Sequence, residues 1–224
     1  MGEFIEITAA DGHVFSAYRA TAGGESGRRG GVVVIQEIFG VNDHIRAVCD
    51  RYAEQGYEVH APALFDRVAK DTELGYSEDD VKRGRELRGG LEWTDALLDV
   101  QACVAAMRGA GEVGVVGYCY GGSVSWLAAC RVIGTSAAVC YYGGQIIDHV
   151  DQTPRCPVML HFGARDAMIS MADVDFIRAR HADAPLFVYD AEHGFSCNAR
   201  ASYDEAAAAQ ALERTLAFFG EHVG

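Results

Sequence analysis

No run of 18 apolar residues occurs, so nothing in the sequence predicts a transmembrane helix. The opening stretch MGEFIEITAADGHVF lacks the basic segment, apolar run and small-residue cleavage site of a secretory leader. Its sixth residue is Glu6, not the Ser or Thr that a myristoylation signal requires. The seven cysteines include no CxxC pair, and an odd number cannot all be bridged. A disulfide framework and a structural zinc site are both disfavoured, and no metal or organic cofactor is expected. A reducing cytoplasm is the expected compartment. Basic residues are the minority, 19 Lys and Arg against 32 Asp and Glu, giving a net charge of -13. Such a surface repels phosphate backbones and anionic lipid, so neither nucleic acid nor membrane is an expected partner. An anionic substrate would need cations supplied by the site itself. Repeats, low-complexity tracts and long linkers are absent, and 224 residues suit a single domain, 1–224, as a monomer or weak homo-oligomer.

What is present is half hydrophobic and about a quarter charged, which is ordinary globular usage. Two alternating segments, 4–8 and 13–18, flank Asp11-Gly12, a hairpin signal. The glycine-rich stretch 22–31 reads as a surface loop. From there, short β-branched or apolar runs at 31–35, 57–61, 113–116, 137–142, 157–162 and 186–189 read as buried strands. Between and after them lie helical patterns at about 43–55, 78–88, 92–108, 122–131, 171–180 and 203–219. Strands alternating with helices predict right-handed crossovers and a mostly parallel sheet, with the hairpin as an antiparallel edge and helices on both faces. In such a sheet, catalytic groups belong just beyond the carboxyl ends of the strands.

The segment VGVVGYCYGG, 113–122, runs a buried strand through Gly117-Tyr118-Cys119-Tyr120-Gly121 directly into a helix. This is the nucleophile-elbow pattern G-x-S-x-G with cysteine in place of serine. The nucleophile of such a turn has strained backbone, and side chains two residues to either side would collide, so glycine stands at both places. The helix N-terminus then favours thiolate over thiol. The bland alternative is a buried cysteine in an ordinary glycine-rich turn. Downstream order favours catalysis: Asp166 follows the strand 157–162, and His193 follows the last strand. Asp166 also reads as a loop residue capping the next helix. The other seven histidines fall on the hairpin, within strands, or on helices and their ends. The segment Gln36-Glu37-Ile38-Phe39-Gly40 leaves the first long strand and should pass the elbow. The N–H groups of Ile38 and Tyr120 would form an oxyanion hole, with Phe39 as a substrate-contacting candidate. Glu37 must find a partner or stay neutral, and a salt bridge with Arg67 or Arg155 is the alternative to a functional role.

Four landmarks together, QEIFGVN at 36–42, GYCYGG at 117–122, GARD at 163–166 and HGF at 193–195, resemble the dienelactone hydrolases (carboxymethylenebutenolidases) over nearly the whole chain. The resemblance implies an α/β-hydrolase fold and cleavage of an ester or enol-lactone. It makes Cys119 the nucleophile, His193 the base, Asp166 its orienting acid, and Glu37 a partner of the thiol that helps deprotonate it when substrate arrives. One departure stands out. The family's substrate-gripping arginine, four residues after the histidine, is Cys197 here. Arg200 could replace it or could begin the closing helix, and Arg83 or Arg85 could match a second carboxylate-binding arginine. Without such a group, neutral substrates are expected to be preferred, and a broad esterase or thioesterase is a rival reading. A non-catalytic thiol redox sensor is a second rival, opposed by the presence of Asp166 and His193.

Overall fold

The structure, a computed structural model, describes residues 2–21 and 29–224. Most of the glycine-rich stretch read as a surface loop, 22–28, lies outside the described residues. Strands β1 (Glu3–Thr8) and β2 (Val14–Ala20) form the antiparallel hairpin. Its connection spans five residues, closed by Ala9 N–H donating to the His13 carbonyl at 2.8 Å. Strand β3 (Gly31–Ile35) is buried along its whole length, as its continuous β-branched run requires of a central parallel strand. Helix α1 (Asp43–Glu54) follows, capped by the Asn42 side chain. Then come β4 (Glu58–Pro62), α2 (Glu78–Gly89) with a Ser77/Asp80 capping box, and α3 (Trp93–Ala106). The second half runs β5 (Val113–Tyr118), α4 (Tyr120–Arg131), β6 (Thr135–Tyr141), β7 (Val158–Gly163), α5 (Met171–Arg180), β8 (Leu186–Tyr189) and α6 (Glu205–His222). No described helix is long and apolar enough to cross a membrane.

All eight strands join one sheet in the order β1-β2-β4-β3-β5-β6-β7-β8. Pairings are parallel from β4 onward, and only the β1–β2 and β2–β4 contacts are antiparallel. Successive residues of a strand face opposite sides. Tyr118 therefore turns to α1, where its hydroxyl meets Tyr52 at 3.4 Å, while Gly117 turns to α4. Helix α6 shares the α1 face, with Phe219 against Tyr52 at 6.1 Å and Thr215 bonded to Tyr141 of β6 at 2.7 Å. On the opposite face α3 meets α4 through Trp93 and Tyr120, at 5.4 Å. Arg88 lies over both rings, 4.0 Å from the first and 4.6 Å from the second. This mixed sheet with helices on both faces is the α/β-hydrolase fold. Strand β5 sits inside it, and its carboxyl end delivers Cys119.

Candidate active site

Strand β5 ends at Tyr118 and α4 begins at Tyr120, so one residue makes the whole turn. That residue, Cys119, has φ 54° and ψ -115°, a left-handed conformation that costs an L-residue about 1–3 kcal/mol. Neighbouring backbone enforces it. The Cys119 N–H donates to the Tyr141 carbonyl at 3.0 Å, and its own carbonyl accepts from Gly122 at 2.9 Å. A Cβ at 117 would run into the Gly121 carbonyl, and one at 121 would meet the carbonyls of Ile35 and Gln36. Both glycines are therefore required by close backbone approach. The approach at 121 also seats α4 against the end of β3, next to the segment holding Glu37 and Ile38.

That segment is pinned residue by residue. The Gln36 amide oxygen accepts from Leu64 N–H at 3.1 Å, and its nitrogen donates to the Glu37 carbonyl at 3.3 Å. Phe39 packs edge-on against Tyr76, 4.7 Å between centroids. Asn42 caps α1 through its oxygen and uses its nitrogen for the Leu74 carbonyl at 3.0 Å and the Tyr76 hydroxyl at 3.1 Å. The Ile38 N–H forms no hydrogen bond among the described residues, and Tyr120 opens a helix, where the first N–H groups lack intrahelical partners.

Asp166 lies in the turn after β7. One carboxylate oxygen caps the following turn, accepting from Met168 N–H at 2.7 Å and Ile169 N–H at 3.1 Å. The other faces His193 Nδ1 at 2.7 Å, with the carboxylate fully buried. Asp166 does not cap the next helix, a place taken by Ser170; it closes the turn before that helix with one oxygen and holds His193 with the other. His193 itself is buried beside Tyr142, 5.1 Å between rings, and its Nε2 closes no hydrogen bond among the described residues. Burial works against a charged ring here. The neighbouring Cys119 sulfur and the Asp166 hydrogen bond outweigh it and hold His193 up at about 10. Among the other histidines, His161 is held down to about 3 by burial, between the Tyr189 and Thr215 hydroxyls at 2.8 and 3.3 Å, a neutral core residue.

Glu37 is almost wholly buried. Its partner is neither Arg67 nor Arg155 but Arg200, at 3.4 Å from Oε1. Arg67 is spent on Asp99 and Asp11 instead, at 2.7 and 2.8 Å. Glu37 Oε2 has no partner among the described residues. Burial opposes the Arg200 charge, but Glu37, followed by Cys119, raises its affinity for the proton above the ordinary arginine value. Gly194 makes room for this guanidinium: it has φ 78°, and a Cβ there would strike Arg200 Nη1. Arg83 is not brought to the cluster. It is half exposed on α2 and pairs with Glu86 at 3.3 Å, whereas Arg85 lines a cavity of about 680 Å3 with Tyr76, Val81 and Lys82. Sequence reasoning passed over His44 and Tyr76. Burial lowers the His44 pKa and keeps the ring neutral. The Tyr76 hydroxyl accepts from Cys197 Sγ at 3.4 Å. Neither residue lies in a recognisable motif, and only packing brings them to Glu37.

The sequence model of the dienelactone hydrolase family matches residues 15–223. A carboxymethylenebutenolidase of Pseudomonas putida is 31% identical over 228 residues, covering 96% of this chain and 95% of that protein. A candidate carboxymethylenebutenolidase of Synechocystis sp. is 35% identical over 208 residues, 84% of each chain. The crystal structure of a candidate dienelactone hydrolase from Klebsiella pneumoniae superposes with a TM-score of 0.86 at 30% identity, covering 99% of both chains.

Proposed function

Because the chain belongs to the dienelactone hydrolase family, hydrolases that act on ester bonds, we propose that it cleaves an ester or enol-lactone through Cys119, His193 and Asp166. The observation that carries this reading is the 2.7 Å bond from buried Asp166 to His193, whose ring is held charged to about pH 10 beside a cysteine on a strained turn. An imidazolium so placed is the counter-charge that a thiolate nucleophile needs. Asp166 fixes the tautomer, leaving Nε2 for the sulfur.

The thiolate attacks the carbonyl carbon, and the oxyanion is held by the N–H groups of Ile38 and Tyr120. As the tetrahedral adduct collapses, the C–O bond breaks and His193 gives its Nε2 proton to the leaving oxygen. His193, now neutral, takes a proton from water as that water attacks the thioester. The second adduct expels the Cys119 thiolate and the acid product, restoring the ion pair. Thiolate is a good leaving group, so activated esters and enol-lactones suit this chemistry better than amides.

Arg200 bears on the substrate. The cation that position 197 lacks is supplied from three residues further on, so the expected preference for neutral substrates is replaced by recognition of a carboxylate on the ester or lactone. That carboxylate competes with Glu37 for the guanidinium, and a released Glu37 is free to take the proton of any Cys119 still in the thiol form, adding to the thiolate that faces His193. The test is a panel of aryl esters, enol-lactones and acyl thioesters with wild type and Cys119→Ala, followed by intact-mass detection of an acylated Cys119. Turnover by Cys119→Ala near the wild-type level would refute the assignment.

A further inference from the structure

We propose that Glu37, His44 and Cys197 form a binding site for a borderline divalent cation of the zinc class, beside the candidate nucleophile. Their donor atoms, a carboxylate oxygen, an imidazole nitrogen and the thiol sulfur, all lie within 4.8 Å of one another. The three residues are 1%, 8% and 0% exposed. Two donors are unspent: Glu37 Oε2 and His44 Nε2 are shielded from solvent and have no hydrogen-bond partner among the described residues. Buried polar atoms are normally paired, and two residues that each carry such an orphan meet a thiol here, the His44 ring also having a hydrogen bond with the Asn198 side chain. The donors come from three separate places, the segment after β3, the first turn of α1 and the loop after β8, so the site exists only in the folded chain.

The donor set selects the ion. Oxygen-seeking cations such as Ca2+ and Mg2+ gain little from imidazole and thiolate, whereas Zn2+ and Co2+ favour such a mixed set. Zinc bond lengths of about 2.0–2.3 Å put tetrahedral donors roughly 3.3–3.6 Å apart. The observed spacing therefore closes by about 1 Å through side-chain rotation. Water supplies the fourth ligand. On binding, the metal–sulfur bond replaces the S–H bond of Cys197, whose proton passes to solvent and whose contact with the Tyr76 hydroxyl is given up. Glu37 keeps Oε1 on Arg200 and turns Oε2 to the metal. Arg200 opposes the added positive charge, so the site binds reversibly and more weakly than a closed structural zinc centre.

The site does not depend on the hydrolytic reading, and the experiment keeps the two apart. Cys119→Ala protein lacks the thiol of the candidate nucleophile and keeps the proposed ligands intact. Titrated with Co2+, it should take up one ion per chain and show a sulfur-to-cobalt charge-transfer band in the near ultraviolet, abolished by Zn2+. Adding Cys197→Ser should erase the band, and adding His44→Gln should weaken Co2+ binding at least tenfold by equilibrium dialysis. Circular dichroism establishes that each variant is folded. A folded Cys119→Ala protein without the band, or a band that survives Cys197→Ser, overturns the proposal. Esterase activity of the wild type is measured separately and bears only on the catalytic assignment.

Discussion

Replacing Cys119 with alanine should loosen the hold of His193 on its proton. The ring is raised from 6.5 to about 10. At about 1.4 kcal/mol for each tenfold change in proton affinity, that is roughly 5 kcal/mol of preference for imidazolium over neutral ring. Burial opposes the charge, so the favourable interactions together exceed this figure. Of them, the Cys119 sulfur contributes most and the Asp166 hydrogen bond less. In Cys119→Ala, His193 keeps its burial and its carboxylate and loses the sulfur. Its proton affinity should fall by at least roughly a hundredfold. In Asp166→Asn the fall should be smaller, because the sulfur stays. Turnover should nevertheless drop by about 10^3–10^4, since an amide facing Nδ1 favours the wrong tautomer. The assay is a pH titration of the His193 imidazole by nitrogen–proton correlation spectra in the three proteins. The sign for stability follows from the same shift. A ring that holds its proton more tightly in the fold stabilises the fold fully below about pH 6.5. That contribution declines above it and is gone past about pH 10. The alkaline loss should be blunted in Cys119→Ala. A ring still titrating near 10 in Cys119→Ala would show that the sulfur is not the neighbour that charges it, and the proposed ion pair would fail.

Arg200→Gln should lower kcat/KM for a free-acid dienelactone by roughly 10- to 100-fold relative to its methyl ester, the worth of a charged hydrogen bond of about 1.5–3 kcal/mol. Equal losses on acid and ester would mean that Arg200 serves only Glu37. Gly194→Ala introduces a Cβ onto the guanidinium at a left-handed φ of 78° and should cost about 1–3 kcal/mol in urea unfolding while weakening the same acid preference. Unchanged stability would contradict the close approach. Glu37→Gln should slow acylation and alter the pH–rate profile with the fold intact; an identical profile would leave Glu37 with only its ion pair to Arg200.

Much of the fold was legible because short apolar runs and helical periodicity are local signals. The runs at 31–35, 171–180 and 186–189 mark their elements to the residue. Where boundaries moved, tertiary geometry moved them. The sequence puts the start of α4 at Gly122, the second of two glycines that disfavour helix, yet the helix begins at Tyr120. Gly121 is there because the helix must lie against the carbonyls of Ile35 and Gln36, a demand that outweighs its poor propensity. The Asp11-Gly12 signal gave the hairpin but not its length, since the positive φ of Gly12 serves a longer loop.

The site divides along the same line. Cys119, Asp166 and His193 follow strand ends, and a parallel sheet brings strand ends together whatever the loops do. Side chains that reach the site from elsewhere carry no such mark. Arg83 and Arg85 are two residues apart on α2, so they do not face each other; Arg83 pairs with Glu86, and Arg85 lines the cavity at Tyr76, which Glu86 also borders. Arg200 reaches Glu37 only because Gly194 leaves the space, a relation between two positions in a loop that no periodicity encodes. His44 follows the Asn42 cap, which fixes where α1 starts and so which first-turn side chain faces Glu37. The absence of CxxC pairs argued against a zinc site and no metal was expected, but spacing weighs only ligands close in sequence, and the donors at 37, 44 and 197 meet only in the fold. Chemistry placed by the sheet can thus be read from order along the chain. Chemistry placed by loop packing can be read only once the backbone has shown which side chains were left without partners.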